Sequence, residues 1–238
     1  MLQLNKQKVQ EQFSRSAERY DQIAVMQQKI ADELLSKAGT SLGVRHSSFV
    51  DLGCGTGYVL EQLERQANLK LHGLDLSPTM LGQAEKRLQS AELTQGDIES
   101  LPYANNAFDV LFSSSAIQWC DLGKALAEIG RVGKQDSRVF LSTFLEGTLQ
   151  EWRSLWMSTE QREQHQFLSK GEALQCLQAN GFQKIQLEEK VIEQKFTDLS
   201  EAIVSIRGIG AGNASQKGQQ GLMGKQQWLK IQHWFQSK

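Results

Sequence analysis

Apolar residues recur every three or four positions at Val9, Phe13, Ala17, Tyr20, Ile23, Met26, Ile30 and Leu34, in a stretch from 5 to 38 without Gly or Pro. That period predicts an amphipathic helical preamble. Gly39 and Gly43 break it, and a short apolar run, Phe49-Val50-Asp51-Leu52, then ends in a cluster of glycines, where a core strand should begin. From there the pattern alternates. It predicts strands near 49–53, 69–75, 93–97, 108–113 and 138–144, and helices near 58–67, 78–90 and 122–132. Strands separated by helical periods imply parallel βαβ units with helices on both faces, an α/β fold. Ser77 and Pro78 stand where an N-cap and a first helical turn belong.

After residue 144 the rhythm changes. Trp152, Trp156 and Met157 mark a helical insert over 146–168, more in keeping with core or lid than with a platform for stacking bases. A helix near 170–179 is stopped by Asn180-Gly181. Partial alternation at Ile185, Leu187 and Val191 predicts one long or two short strands over 183–196. Six glycines between Gly208 and Gly224 read as a mobile loop, and Lys225 to Phe235 as a closing helix with Trp228, Ile231, Trp234 and Phe235 inside. One domain is expected, with a helical cap (1–44), an α/β core (45–145) and a lid and C-terminal region (146–238).

Composition narrows the class. With 238 residues, 39% of them hydrophobic, the chain has enough apolar material for a sizeable core and is neither disordered nor fibrous. A net charge of −1 provides no overall field for nucleic acid or an anionic membrane. Cys54, Cys120 and Cys176 lie far apart and form no CxxC pair, which points to a reducing, cytoplasmic setting. Neither a signal peptide nor a membrane span is expected.

The chemistry concentrates in Val50-Asp51-Leu52-Gly53-Cys54-Gly55-Thr56-Gly57. Here a strand ends in an acid followed by three glycines at alternate positions. Dinucleotide sites use G-x-G-x-x-G; the third glycine comes one residue early here, and an acid two residues before Gly53 suits a ligand bearing an amine better than a diphosphate. Asp75 follows the second strand, 18 residues past Gly57, at the place where an acid accepts both hydroxyls of a ribose. Its competing role, capping the next helix, is better filled by Ser77. Gly96-Asp97-Ile98-Glu99 closes the third strand, where a carboxylate suits an adenine amino group and Ile98 covers the ring. All three loops fall at carboxyl ends of strands, where open α/β sheets bind ligands.

These residues resemble the class I S-adenosyl-L-methionine-dependent methyltransferases, whose glycine-rich motif matches 50–57, ribose acid Asp75 and adenine motif Asp97. The resemblance implies a Rossmann-like sheet and S-adenosyl-L-methionine as cofactor. Finer pieces are similar to the malonyl-acyl-carrier-protein O-methyltransferases of biotin synthesis. They are Phe13-Ser14-Arg15-Ser16-Ala17 with Tyr20-Asp21, Leu74-Asp75-Leu76-Ser77-Pro78 with Met80-Leu81, Gly96 to Pro102, Gln118-Trp119-Cys120, and Gly208-Ile209-Gly210-Ala211. The weight falls on Gln118-Trp119-Cys120 and on Arg207 with its glycines, because several of the other pieces recur in related small-molecule methyltransferases. One departure stands out: members usually finish with an apolar strand after the last helix, whereas this chain ends Gln236-Ser237-Lys238.

On this resemblance, Tyr20, Asp51, Gly53, Cys54, Gly55, Gly57, Asp75, Leu76, Met80, Asp97, Ile98, Glu99 and Ser114 are expected to hold the cofactor. Gln118, Trp119 and Arg207 are expected on the acceptor, which is malonyl-acyl-carrier protein or malonyl-CoA. A carboxylate acceptor is already ionised at neutral pH, so neither a general base nor a metal is expected; His46, His72, His165 and His233 form no catalytic pattern. Arg207 suits the task of orienting that carboxylate through a planar guanidinium; its alternative is a charge at a helix C-terminus. An acidic carrier would dock on cations, either Lys6, Lys8, Arg15 and Arg19 or Lys217 and Lys225. The competing functions are methylation of a quinone precursor or other small molecule, which needs a base, and a non-catalytic S-adenosyl-L-methionine-binding module. A monomer is expected.

Overall fold

The computed structural model describes residues 5–39, 47–65, 69–150 and 167–208, with 232, 233 and 235. Its centre is β1 (Ser48–Leu52), buried along its whole length because it is flanked on both edges and covered on both faces. The chain builds outward from β1 through α4 (Tyr58–Glu64), β2 (Lys70–Asp75), α5 (Pro78–Arg87) and β3 (Glu92–Gln95). It then returns to the other side of β1 for β4 (Phe108–Ser114), α6 (Leu122–Val132) and β5 (Gly133–Ser142). The resulting order is β3-β2-β1-β4-β5, every pair parallel. The direction of winding reverses between β1 and β4, so the loops leaving their carboxyl ends diverge and open a crevice.

Two cores hold the sheet. On one face Val50, Leu52, Leu74 and Leu111 meet the stripe Leu122, Ala125, Leu126, Ile129 and Val132 of α6. That helix forms because its apolar residues recur at helical spacing and the Asp121 side chain caps it, accepting from Lys124 N at 3.2 Å. On the other face Phe49 and Phe112 pack with Val59, Leu60 and Leu63 of α4 and with Ala31. Ser77 caps α5 as its sequence suggests, its Oγ accepting from Met80 N with Pro78 in the first turn.

The N-terminal preamble is helical but broken. Asn5 caps α1 (Lys6–Ser16), a 3₁₀ turn over Ala17–Arg19 follows, and α2 (Tyr20–Ile23) and α3 (Val25–Ala38) complete it. Ser16 Oγ donates back to Phe13 O at 3.1 Å where α1 ends, the kind of local side-chain bond that competes with helix continuation. The break folds α1 over the carboxyl ends of the strands, against α5.

Beyond the core, α7 (Lys170–Ala179) starts with a reciprocal capping box between Ser169 and Glu172 and stops at Asn180-Gly181, Gly181 having φ +82°. The alternation over 183–196 does not produce strands: the segment joins no ladder of the sheet. Alternation alone makes no strand without a neighbour to pair its amides, and Val191 is left 89% exposed. Ion pairs attach the segment to α3 instead, Lys37 to Glu188 and Lys190 to Glu33. Strand β5 begins earlier than its apolar run, at Gly133, and three extra residues interrupt its register against β4 where Asp136 takes φ +64°. Last among the described elements, α8 (Leu199–Gly208) packs against α1 and α2. The expected helical insert with Trp152, Trp156 and Met157, the glycine loop after Gly208, and most of the expected closing helix lie outside the described residues. Among the described residues no helix is long and apolar enough to cross a membrane.

This packing makes a simple prediction. Leu126→Ala, at a fully buried position of α6, lowers unfolding free energy by about 2–5 kcal/mol. Arg15→Ala removes an exposed ion pair to Glu11 and costs under about 1 kcal/mol. Urea denaturation monitored by tryptophan fluorescence measures both.

Candidate active site

The glycine run leaves β1 as a sharp turn. Gly53, Gly55 and Gly57 take φ of +80°, +54° and +81°, which side chains disfavour. At Gly53 there is also no room: a Cβ would lie 2.4 Å from the Cβ of Ala116. The turn is pinned from β2, since the amides of Gly53 and Cys54 both donate to Leu74 O, at 2.7 and 3.0 Å. The next amide, that of Gly55, donates to Asp75 Oδ2 at 2.9 Å, while Asp75 Oδ1 accepts from Ser77 N at 2.8 Å. Asp75 is thus fixed at the end of β2 by donors on both sides, and burial pushes its carboxyl up while those bonds pull it down.

A cavity of about 990 Å³, including its open mouth, lies across the carboxyl ends of the strands. It brings together Tyr20, Asp51, Gly53, Cys54, Gly55, Asp75, Leu76, Met80, Asp97, Ile98, Ser114 and Trp119. Gly57 stands just behind, turning the chain into α4. Burial, and secondarily Asp75, raise the Asp51 carboxyl to about 8, and among the described residues no basic side chain pairs with it. Burial likewise pushes up the Tyr20 hydroxyl and the Cys54 thiol, with nearby carboxylates adding. A neutral, buried thiol is no nucleophile.

Two expected residues take other places. Glu99 is outside the lining; it accepts from Asp121 N at 2.8 Å and pairs with Lys6 at 2.7 Å. Gln118 is buried behind the wall, its Nε2 donating to Ser115 O at 2.6 Å and its Oε1 without a partner among the described residues. The side chain of Arg207, although its backbone closes α8, lies outside the described residues. Lys6, one of the expected docking cations, points inward instead. Its ammonium sits 2.9 Å from Asp97 Oδ1 and 3.6 Å from Cys120 Sγ. Burial alone would lower it, but Cys120, Glu99 and Asp97 hold it at about 12. Asp97, Glu99 and Cys120, three potential metal ligands within 4.8 Å of one another, therefore enclose a lysine. Arg15 and Arg19 remain exposed, and Lys217 and Lys225 lie outside the described residues.

The roof of the cavity is what sequence reasoning missed. Val9 and Phe13 of α1 and Ala24, Gln27, Gln28 and Ala31 around α3 line it. Phe13 meets Trp119 and Tyr20 edge-to-face at ring distances of 6.0 and 6.1 Å. Gln10 donates to Leu76 O and Ser14 shares a hydrogen bond with Ser77. Asp21 accepts from Thr56 Oγ1 at 2.6 Å and pairs with Arg87 of α5, so α2 is tied to the glycine turn itself. Apart from the Phe13 to Ala17 stretch and the Tyr20-Asp21 pair, no local motif announces these contacts.

The pocket gathers three acids at the carboxyl ends of β1, β2 and β3, Asp51, Asp75 and Asp97, with the apolar Ile98 beside the last. A methyltransferase domain family matches residues 50–141. A malonyl-[acyl-carrier protein] O-methyltransferase from Herminiimonas arsenicoxydans is 36% identical over 234 residues, covering 98% of this chain and 88% of that protein. The Yersinia pestis protein of the same name is 34% identical, with 97% and 85% covered. The chain belongs to the malonyl-[acyl-carrier protein] O-methyltransferase family. It is an S-adenosyl-L-methionine-dependent O-methyltransferase. The fold agrees with solved methyltransferases. One from Haloferax volcanii, in complex with its activator, superimposes with a TM-score of 0.59 at 23% identity, covering 71% of this chain and 75% of the other. Phosphoethanolamine N-methyltransferase 2 from Haemonchus contortus gives 0.53 at 22%, covering 66% and 38%.

Two outcomes follow from the geometry. Gly53→Ala forces a Cβ into Ala116 at positive φ and weakens S-adenosyl-L-methionine binding at least about tenfold by calorimetry. Because Asp51 binds its proton more tightly when folded, the ligand-free chain takes up protons on folding between about pH 4 and 8. Its stability therefore falls as pH rises through that window. Urea midpoints at pH 5 and 8 show the fall, and Asp51→Asn makes it smaller.

Proposed function

We propose that this enzyme methylates the free carboxylate of malonyl carried on the phosphopantetheine thioester of acyl-carrier protein, giving a methyl ester that starts biotin synthesis. The observation that supports this reading best is similarity over 94–98% of the chain, at 31–36% identity, to relatives bearing that activity in their names. The bound cofactor supplies an electrophilic methyl group on a positively charged sulfur. Asp75, Asp97 and Ile98 would hold the nucleoside, and Asp51 with the glycine turn the amino-acid end. The attacking carboxylate is already ionised, so the chain's task is alignment and exclusion of water. The roof of Val9, Phe13 and Trp119, apolar and packed edge-to-face, suits the second part.

Alignment needs a cation opposite the malonyl carboxylate, and in this reading it is Arg207. It belongs to α8, which leans on the roof helices through Ser205 Oγ, 3.5 Å from Ile23 O. A guanidinium orients a carboxylate bidentately without removing a proton. Trp119, in the turn that follows β4, would flank the acyl chain. Esterification would remove the charge at the chain end, so that enzymes built for apolar acyl chains accept the product.

Incubation of malonyl-acyl-carrier protein with S-adenosyl-L-methionine and enzyme should add one methyl by intact mass, and acetyl-acyl-carrier protein should gain none. Arg207→Ala should lower kcat/KM for the malonyl substrate about ten- to hundredfold with cofactor affinity unchanged. An undiminished rate removes Arg207 from the acceptor site, and methylation of neither substrate removes the malonyl assignment.

A further inference from the structure

The buried stripe of α3 contains one residue that the fold does not explain. Ala24, Gln27, Ala31 and Ala38 share a face at helical spacing; the three alanines are buried at 1%, 5% and 0% exposure. Gln27 is the polar member. Its Oε1 is buried and has no hydrogen-bond partner among the described residues, although the side chain lines the cofactor cavity. Gln28 beside it is already committed, its Nε2 donating to Asp21 O at 3.1 Å. A buried amide oxygen without a partner destabilises the chain, and Leu or Met would fill the same space without that cost. The small neighbours Ala24 and Ala31 leave the glutamine head room to reach into the cavity.

The side of the cavity identifies what it meets. The adenine end, at Asp97 and Ile98, lies beneath Lys6 of α1. Helix α3 covers the other end, where Ala31 packs with Cys54, Val59 and Phe112 beside the glycine turn. Asp51 lines the cavity there, with no basic partner among the described residues. From these placements we infer that Gln27 is a positioning residue for the amino-acid end of the cofactor, its Oε1 accepting a hydrogen bond from the α-ammonium. Asp51 then offers the same ammonium an acceptor from the sheet, and the roof and floor of the site grip one group between them.

The test compares ligands that differ at that end alone. Titration calorimetry with the full chain measures S-adenosyl-L-methionine, its decarboxylated analogue, which keeps the amine, and 5′-methylthioadenosine, which lacks the amino-acid portion. In Gln27→Met the first two should bind about tenfold or more weakly, while methylthioadenosine binds as in the parent and the thermal midpoint does not fall. Gln27→Glu, which retains an acceptor oxygen, should restore binding to within a few-fold. Equal losses for all three ligands would make Gln27 a structural residue and overturn the inference. A loss confined to S-adenosyl-L-methionine would assign the amide to the carboxylate, and unchanged cofactor affinity with a raised KM for the acceptor would place it on the acceptor side. Either result also overturns it.

Discussion

The hydrogen bond from the Gly55 amide to the carboxylate of Asp75, 2.9 Å long, is the join on which the site depends. It fastens the turn after β1 to the acid at the end of β2, setting two parts of the cavity lining from different strands at a fixed separation. The turn takes positive φ at Gly53, Gly55 and Gly57, and the amides of its first three residues all point toward β2. Gly53 and Cys54 reinforce the join through the Leu74 carbonyl. A strand order that reverses between β1 and β4 supplies the space beside it.

Around that fixed floor the chain places a roof held by different forces. Helix α1 is attached at one end by an ammonium among two carboxylates and a thiol, and α2 at the other by the Asp21–Arg87 pair with Thr56. Between these anchors the contacts are aromatic edges and small apolar side chains. Partly buried ion pairs give geometry more than net stability; here they set where the roof lies while the sheet cores supply the stability. The division suits a methyl transfer, in which position and dryness matter more than proton movement.

The sequence misled where a signal was local and its outcome was not. Alternation over 183–196 resembles strand, yet the residues that would make it one belong to a neighbouring strand, and Glu188 and Lys190 pair with α3. Lys6 resembles a surface cation on an amphipathic helix, but the broken preamble turns it inward. Gln27 carried no motif because a glutamine at a helical position means nothing until its carbonyl is found without a partner among the described residues.

Sequence by itself determined the elements and the floor of the site. Helix α6, helix α7, the five strands and the acids Asp51, Asp75 and Asp97 were legible because periodicity, capping and glycine spacing act over a few residues and are written contiguously. Only the tertiary structure decided which side chains close over the floor. The 3₁₀ break at Ala17–Arg19 sets the direction of α1, and ion pairs such as Lys6–Asp97, 91 residues apart, have no local pattern. A side chain's partner across the fold is set by packing direction, and packing direction is a property of the whole chain.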